Sequence, residues 1–129
     1  MKKDIGNWDD VKLMVDEFYG KVRNNSLLAP IFFERIEGSW DAHLNKMYLF
    51  WNTILFAEGG YSGNPFAKHA DMPIEEEHFD QWLVLFQETV KENFEGPVAD
   101  EAQWRAGIIA NTFLRRLRAI NGNPNQVVL

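Results

Sequence analysis

The segment YSGNPFAKHADMPIEEEHFDQWLVLF, Tyr61 to Phe86, decides how the chain is read. It carries His69 on a piece of backbone fenced by Pro65 and Pro73. A proline disfavours helix in the residue before it, here Asn64 and Met72, so residues 66–71 have room for little more than one turn. A side chain held on so short a turn can aim at a ligand lying over the core. An apolar helix follows. Pro73 suits its first position, Glu75, Glu76 and Glu77 bring negative charge to the first turn where the dipole favours it, and Phe79, Trp82, Leu83, Phe86 and Val90 form its inner face. Just upstream, EGGYSGNP (58–65) holds three of the nine glycines and reads as loop.

Outward from that segment the periodicity is helical. Asn7 or Asp9 can cap a first helix in which Val11, Met14, Val15, Phe18 and Val22 recur at three and four, with Tyr19 at the edge of the stripe. Asn24, Asn25 and Ser26 suit a turn, and Pro30 ends or opens a turn-length helix beside the apolar corner Ile31, Phe32 and Phe33. From Ser39, a good N-cap, a second long helix of roughly eighteen residues and about 27 Å runs to Ala57. Its inner face reads Trp40, His43, Leu44, Met47, Trp51, Ile54 and Leu55. The helix after His69 ends before Gly96-Pro97, and a last one, from about Asp100 to Ile120, carries Ala102, Ala106, Ile109, Phe113, Leu114 and Leu117. There is no internal repeat, no low-complexity tract and no alternating strand pattern. The expectation is one all-α domain over 1–129, with residues 1–6 and 121–129 as frayed tails.

Composition narrows the function. Apolar residues make up 46% and aromatics 14%, with five Trp and ten Phe, well beyond what a disordered segment carries and enough to wall a large flat ligand. The formal charge of −6 argues against a nucleic-acid partner, since counterion release needs clustered cations and the one such run is Arg115, Arg116 and Arg118. That run suits the solvated C-terminal end of the last helix. With no Cys there is neither disulfide nor thiolate chemistry, consistent with a reducing compartment. No apolar run has the length of a signal peptide core or a membrane span, so the expected location is the cytoplasm, with no membrane partner.

No phosphate loop, HExxH or GxSxG pattern is present. Glu75 and His78 have the spacing of half a di-iron site, but the second pair and the inward carboxylates such a site needs are missing. The distinctive set is Tyr19, His43, His69 and Trp82, spread over four elements. Taken singly, each has an ordinary explanation: a loop histidine in solvent, a core histidine with one hydrogen bond, core aromatics whose polar tips find a carbonyl. Taken together, they match what a planar, metal-centred cofactor requires, namely an imidazole on one face, a greasy slot around the rim and controlled polarity on the other face. His69 would ligate the metal, and Phe32, Phe33, Met47, Phe66, Met72 and Phe86 could line the slot.

Four stretches, FYGKVRNNSLLAPIF (18–32), WDAHLNKMYLFW (40–51), YSGNPFAKHADMPI (61–74) and HFDQWLVLF (78–86), resemble the truncated haemoglobins, specifically their third group. The resemblance spans most of residues 5–90. It implies a shortened globin, a 2-on-2 helical sandwich around haem b (iron protoporphyrin IX), with the helix before the iron-binding histidine largely replaced by loop. It makes His69 the proximal iron ligand and Tyr19, His43 and Trp82 the distal residues that stabilise a bound ligand, with Phe32 packed on the porphyrin. Met47, Phe66, Met72, Phe86 and Lys68 complete the expected cofactor contacts. The function implied is binding of O₂, NO and CO. Hydrogen bonds from the polar distal set would slow ligand release, which suits redox chemistry on nitric oxide and oxygen or on peroxide (a dioxygenase-like or peroxidase-like activity) better than transport. The resemblance does not choose among these reactions. An electron donor or reductase would be the partner, and the chain a monomer or weak oligomer. The alternatives are a non-haem helical interaction module and a gas-sensing haem protein.

Overall fold

One face of the first helix organises the molecule. In the computed structural model the described residues are 2–31, 40–57 and 75–120, with side chains described to Arg116. Helix α1 (Trp8–Arg23) starts where the Asn7 Oδ1 accepts the Asp10 N–H at 2.9 Å, and has Asp9 and Asp10 in its first turn and Lys21 and Arg23 in its last. Both ends thus agree with the dipole. Val11, Met14, Val15, Phe18 and Val22 are all buried. Each such side chain contributes about 1.5–3 kcal/mol of burial.

Around that face lie α2 (Trp40–Phe56), α3 (Glu76–Asn93) and α4 (Pro97–Ile120). Helix α1 packs on α2 and on α3, α3 and α4 form a tight hairpin, and α2 reaches α4. The hairpin closes tightly because the α4 face toward the core is small: Ala99, Ala102, Ala106 and Ala110 are all buried. Among the described residues strand pairing amounts to an isolated bridge between Lys3 and Phe94, and no helix is long and apolar enough to cross a membrane.

Several boundaries differ from the sequence-based expectation. Helix α3 begins at Glu76 rather than at Pro73, because Glu75 is extended (φ −112°, ψ 174°) and its N–H donates to Nδ1 of His78 at 2.9 Å. Pro73 itself lies outside the described residues. Helix α2 stops at Phe56, one residue early, where Ala57 turns to φ 55°. Helix α4 begins at Pro97 instead of Asp100, because its cap comes from the far end of the chain. The Asp4 carboxylate accepts the N–H groups of Val98 at 3.0 Å and Ala99 at 2.8 Å. Residues 2–6, expected to fray, are therefore tied down, with Ile5 only 1% exposed. Residues 121–129 lie outside the described residues. The core also takes in Tyr48, Asn52, Leu85 and Thr89, beyond the apolar stripes read from the sequence. The Thr89 hydroxyl satisfies itself by donating to the Leu85 carbonyl at 2.8 Å.

The Asp4 cap carries a pH dependence. Desolvation pushes its carboxyl up, but the N–H groups of Val98, Ala99 and Ile5 outweigh it and hold the group below its ordinary value. A carboxyl depressed in the folded state adds stability above its unfolded pKa and loses it as pH falls through the folded one. Asp4→Ala is expected to cost about 1 kcal/mol in urea melts at neutral pH, with the gap to the wild type closing in acid. A gap that persists below the carboxyl range would contradict the cap. Gly96 sits at φ 146°, and a Cβ there would lie 2.5 Å from Asp4 Cγ. Gly96→Ala should therefore destabilise by more than about 1 kcal/mol, and equal stability in the same melts would show that the close approach carries no constraint.

Candidate functional site

Among the described residues the helices line an apolar cavity with a few polar groups at its wall. Its volume is about 90 Å³, and its lining is mostly apolar and aromatic with a few polar groups, the make-up usual for small-molecule sites. Phe50 and Trp51 of α2, Phe79 and Trp82 of α3 and Phe113 of α4 supply aromatic walls, with Leu28 and Ile31 closing one side. Both of these aliphatic residues come from the turn after α1, where Asn25 Oδ1 accepts the N–H groups of Leu27 and Leu28 at 3.0 Å. The turn is thus shaped by an Asn side chain standing in for a backbone acceptor.

Tyr19, His43, Met47 and Trp82 meet at this cavity from three different helices. The Tyr19 ring stands edge-on to His43, centroids 5.0 Å apart at 88°. Trp40 meets both rings, at 6.2 Å from Tyr19 and 5.8 Å from His43. Behind them Phe18 fixes the spacing between α1 and α3, edge-on to Tyr19 at 4.8 Å and to Trp82 at 5.5 Å. Such edge-to-face pairs are the favoured aromatic geometry. Burial pushes the Tyr19 phenol above its ordinary value. At neutral pH it is therefore a protonated O–H donor.

Phe86, read from the sequence as part of the slot, does not reach it. It is fully buried behind the wall, stacked with Trp51 at 4.8 Å and with Trp82 at 5.8 Å. It supports two residues that do line the cavity. Phe32, Phe33, Phe66, Lys68, His69 and Met72 lie outside the described residues.

His78 is the wall residue that periodicity missed. It is half-buried and lines the cavity, and because its Nδ1 accepts the Glu75 N–H, a neutral ring carries its proton on Nε2. The same bond explains why Glu75 and His78 stand together without metal-site logic. The signal was available in the sequence: His78 precedes Trp82 by four residues and so shares its helix face. Ile109, Ala110 and Phe113 likewise form one short run on α4.

Chemically, the site offers aromatic walls, one buried phenol, two indoles and two imidazoles. That donor set fits a flat, mostly apolar group whose centre binds a small polar ligand, and haem is such a group. Comparison with known proteins agrees. The model of the bacterial-like globin family matches residues 3–115. A group 3 truncated haemoglobin of Campylobacter jejuni is 34% identical over 127 residues, covering 95% of this chain and 100% of its own. The crystal structure of the group III truncated haemoglobin from Campylobacter jejuni superposes with a TM-score of 0.85 at 34% identity, over 95% of this chain and 100% of that one. The chain therefore belongs to the bacterial-like globins and, within them, to the group III truncated haemoglobins, a membership that implies a haem cofactor and haem-based binding of gas ligands.

Proposed function

We propose that the cavity takes haem b, with His69 as the proximal ligand and Tyr19, His43 and Trp82 facing a diatomic gas, and that the protein performs redox chemistry on nitric oxide and oxygen or on peroxide. The observation that carries this reading is the convergence of Tyr19, His43 and Trp82, from three helices, on one apolar cavity. Haem, when bound, supplies an iron at which O₂, NO or CO is held and can exchange electrons.

The chain's own residues then decide what happens to that ligand. Tyr19, kept protonated by burial, donates its O–H. Trp82 donates its indole N–H from the adjacent wall, in a position set by Phe18 and Phe86. In a cavity walled by Phe50, Trp51, Phe79 and Phe113, such bonds are stronger than in water because little solvent competes for them. A ligand that draws negative charge is gripped and released slowly. Slow release suits a carrier poorly and suits conversion of the ligand in place, where a distal donor also helps cleave an O–O bond. The reading also takes Met47, Phe32, Phe66, Met72 and Lys68 as contacts to the haem, the last as a source of positive charge. The reading includes a reductase or other electron donor as partner, a cytoplasmic setting and a monomeric or weakly associating chain.

Tyr19→Phe and Trp82→Phe are each expected to raise the O₂ dissociation rate a few-fold to about tenfold, the effect of losing one hydrogen bond of about 0.5–1.5 kcal/mol. Stopped-flow ligand displacement reads this directly, and unchanged off-rates in both variants would refute the polar pocket. Haem that binds the native state alone must also raise the melting temperature. Equal melting of the haem-free and haem-loaded protein by differential scanning calorimetry would contradict binding in this cavity.

A further inference from the structure

A series of aromatic residues lies between the cavity wall and the surface, and beyond Trp82 gas binding makes no use of it. Trp82 and Trp51 line the cavity, and Phe86 is stacked with both, at interplanar angles of 10° and 19°. Three residues before Trp51 on α2, and so its neighbour on the helix surface, stands Tyr48. Tyr48 is 7% exposed and meets Trp8 edge-on at 6.1 Å, and Trp8 is 40% exposed. The Tyr48 hydroxyl donates to the Asp16 carboxylate on α1. Burial, and then that bond and the nearby Asp16 and Asp41 charges, push the phenol up to about 12, so it keeps its proton until it is oxidised.

We propose that Trp82, Phe86, Trp51, Tyr48 and Trp8 form a relay that carries oxidising equivalents from the cavity to the surface, with Tyr48 as the radical site and Asp16 as its proton acceptor. The relay rests on the haem redox reading above and extends it to peroxide reduction by a small reductant. Reduction of hydrogen peroxide to two waters takes up two electrons and two protons. Tyr48 delivers one electron at a time through Trp51 and Trp82, passes its phenolic proton to Asp16 and is left as a neutral tyrosyl radical. Phe86 bridges the two indoles and is not itself oxidised, since a bare benzene ring loses an electron far less readily than indole or phenol. A one-electron reductant of the enediol class, meeting the exposed Trp8, returns the electron, and Asp16 returns the proton. Two rounds complete one peroxide. Two reductant molecules each lose one electron and one proton, and those two protons are the ones the waters contain.

A rival exit through Tyr19 and Trp40 is disfavoured by charge. The Arg23 guanidinium lies over the Trp40 ring, 4.8 Å from its centroid, and opposes a radical cation there. Lys12 lies 5.7 Å from the Tyr48 centroid, but Tyr48 sheds its proton with its electron and becomes neutral, so that cation opposes it less.

The test is freeze-quench electron paramagnetic resonance of the haem-loaded protein mixed with hydrogen peroxide, with spin-trap mapping by mass spectrometry and ascorbate as the reductant. The expected result is a tyrosyl signal trapped at Tyr48. It should be lost in Tyr48→Phe and diminished in Asp16→Asn, which keeps the ring but lacks the base. In Trp8→Phe the signal should form and decay more slowly under ascorbate. The Soret band, measured first, separates the two levels: failure to take up haem overturns both the haem reading and the relay. Haem uptake with no tyrosyl radical, with an undiminished signal in Tyr48→Phe, or with the radical trapped at Trp40 or Tyr19 overturns the relay alone.

Discussion

The contact on which the rest depends is the insertion of the Phe18 ring between the first helix and the third. Phe18 is 1% exposed and meets Tyr19, Trp82 and Phe86 edge-on at 4.8, 5.5 and 5.2 Å. Two of those partners carry the polar tips of the cavity and the third supports its wall. A ring at that junction sets how far α1 stands from α3, and therefore how far the Tyr19 phenol stands from the Trp82 indole. Close-packed interiors transmit such constraints because no slack is available to absorb them. The same packing that stabilises the fold thus sets the distance between two donors.

That arrangement explains how a small acidic chain can maintain a polar pocket inside an aromatic core. Polar tips are tolerated in the interior when their rings are buried among apolar neighbours and the tips find partners. Tyr19, His43 and Trp82 meet the first condition, each with its ring wedged edge-on against another, and the buried Nε2 of His43 has no hydrogen-bond partner among the described residues. Remote anchoring matters as well. Asp4, from the start of the chain, caps α4, and Lys3 pairs with Asp10 at 2.5 Å. The hairpin of α3 and α4, which provides half of the cavity, is therefore held by residues on the other side of the sequence.

Much of this could be read from residue order, for physical reasons. The first helix carries its cap, its charges and its apolar stripe within sixteen residues, all local signals. Tyr19, His43, Met47 and Trp82 were legible as site candidates because each sits on or beside a periodic apolar face. The signals that failed were non-local or two-sided. The start of α4 depends on a carboxylate more than ninety residues away, which no window of sequence contains. Phe86 has the right period for the inner face but stands behind two indoles, and periodicity distinguishes inside from outside, not the lining of a cavity from its support. His78, half-buried near the helix start, lies outside the apolar stripe but reaches the cavity wall through its four-residue offset from Trp82. Tyr48 is a buried polar residue satisfied by Asp16 on another helix, a partner invisible before the helices are assembled, whereas Thr89 is satisfied within its own helix by the Leu85 carbonyl.

The proposed function requires a coordinate bond between the imidazole of His69 and the iron of a haem bound in the cavity. Haem titration of the purified apoprotein, followed in the Soret region beside His69→Ala with and without added imidazole, tests it most directly. The account predicts stoichiometric uptake with a sharp Soret band in the wild type, loss of that band in His69→Ala and its recovery when imidazole occupies the vacated position. A His69→Ala protein that binds haem with the wild-type spectrum and affinity would contradict it.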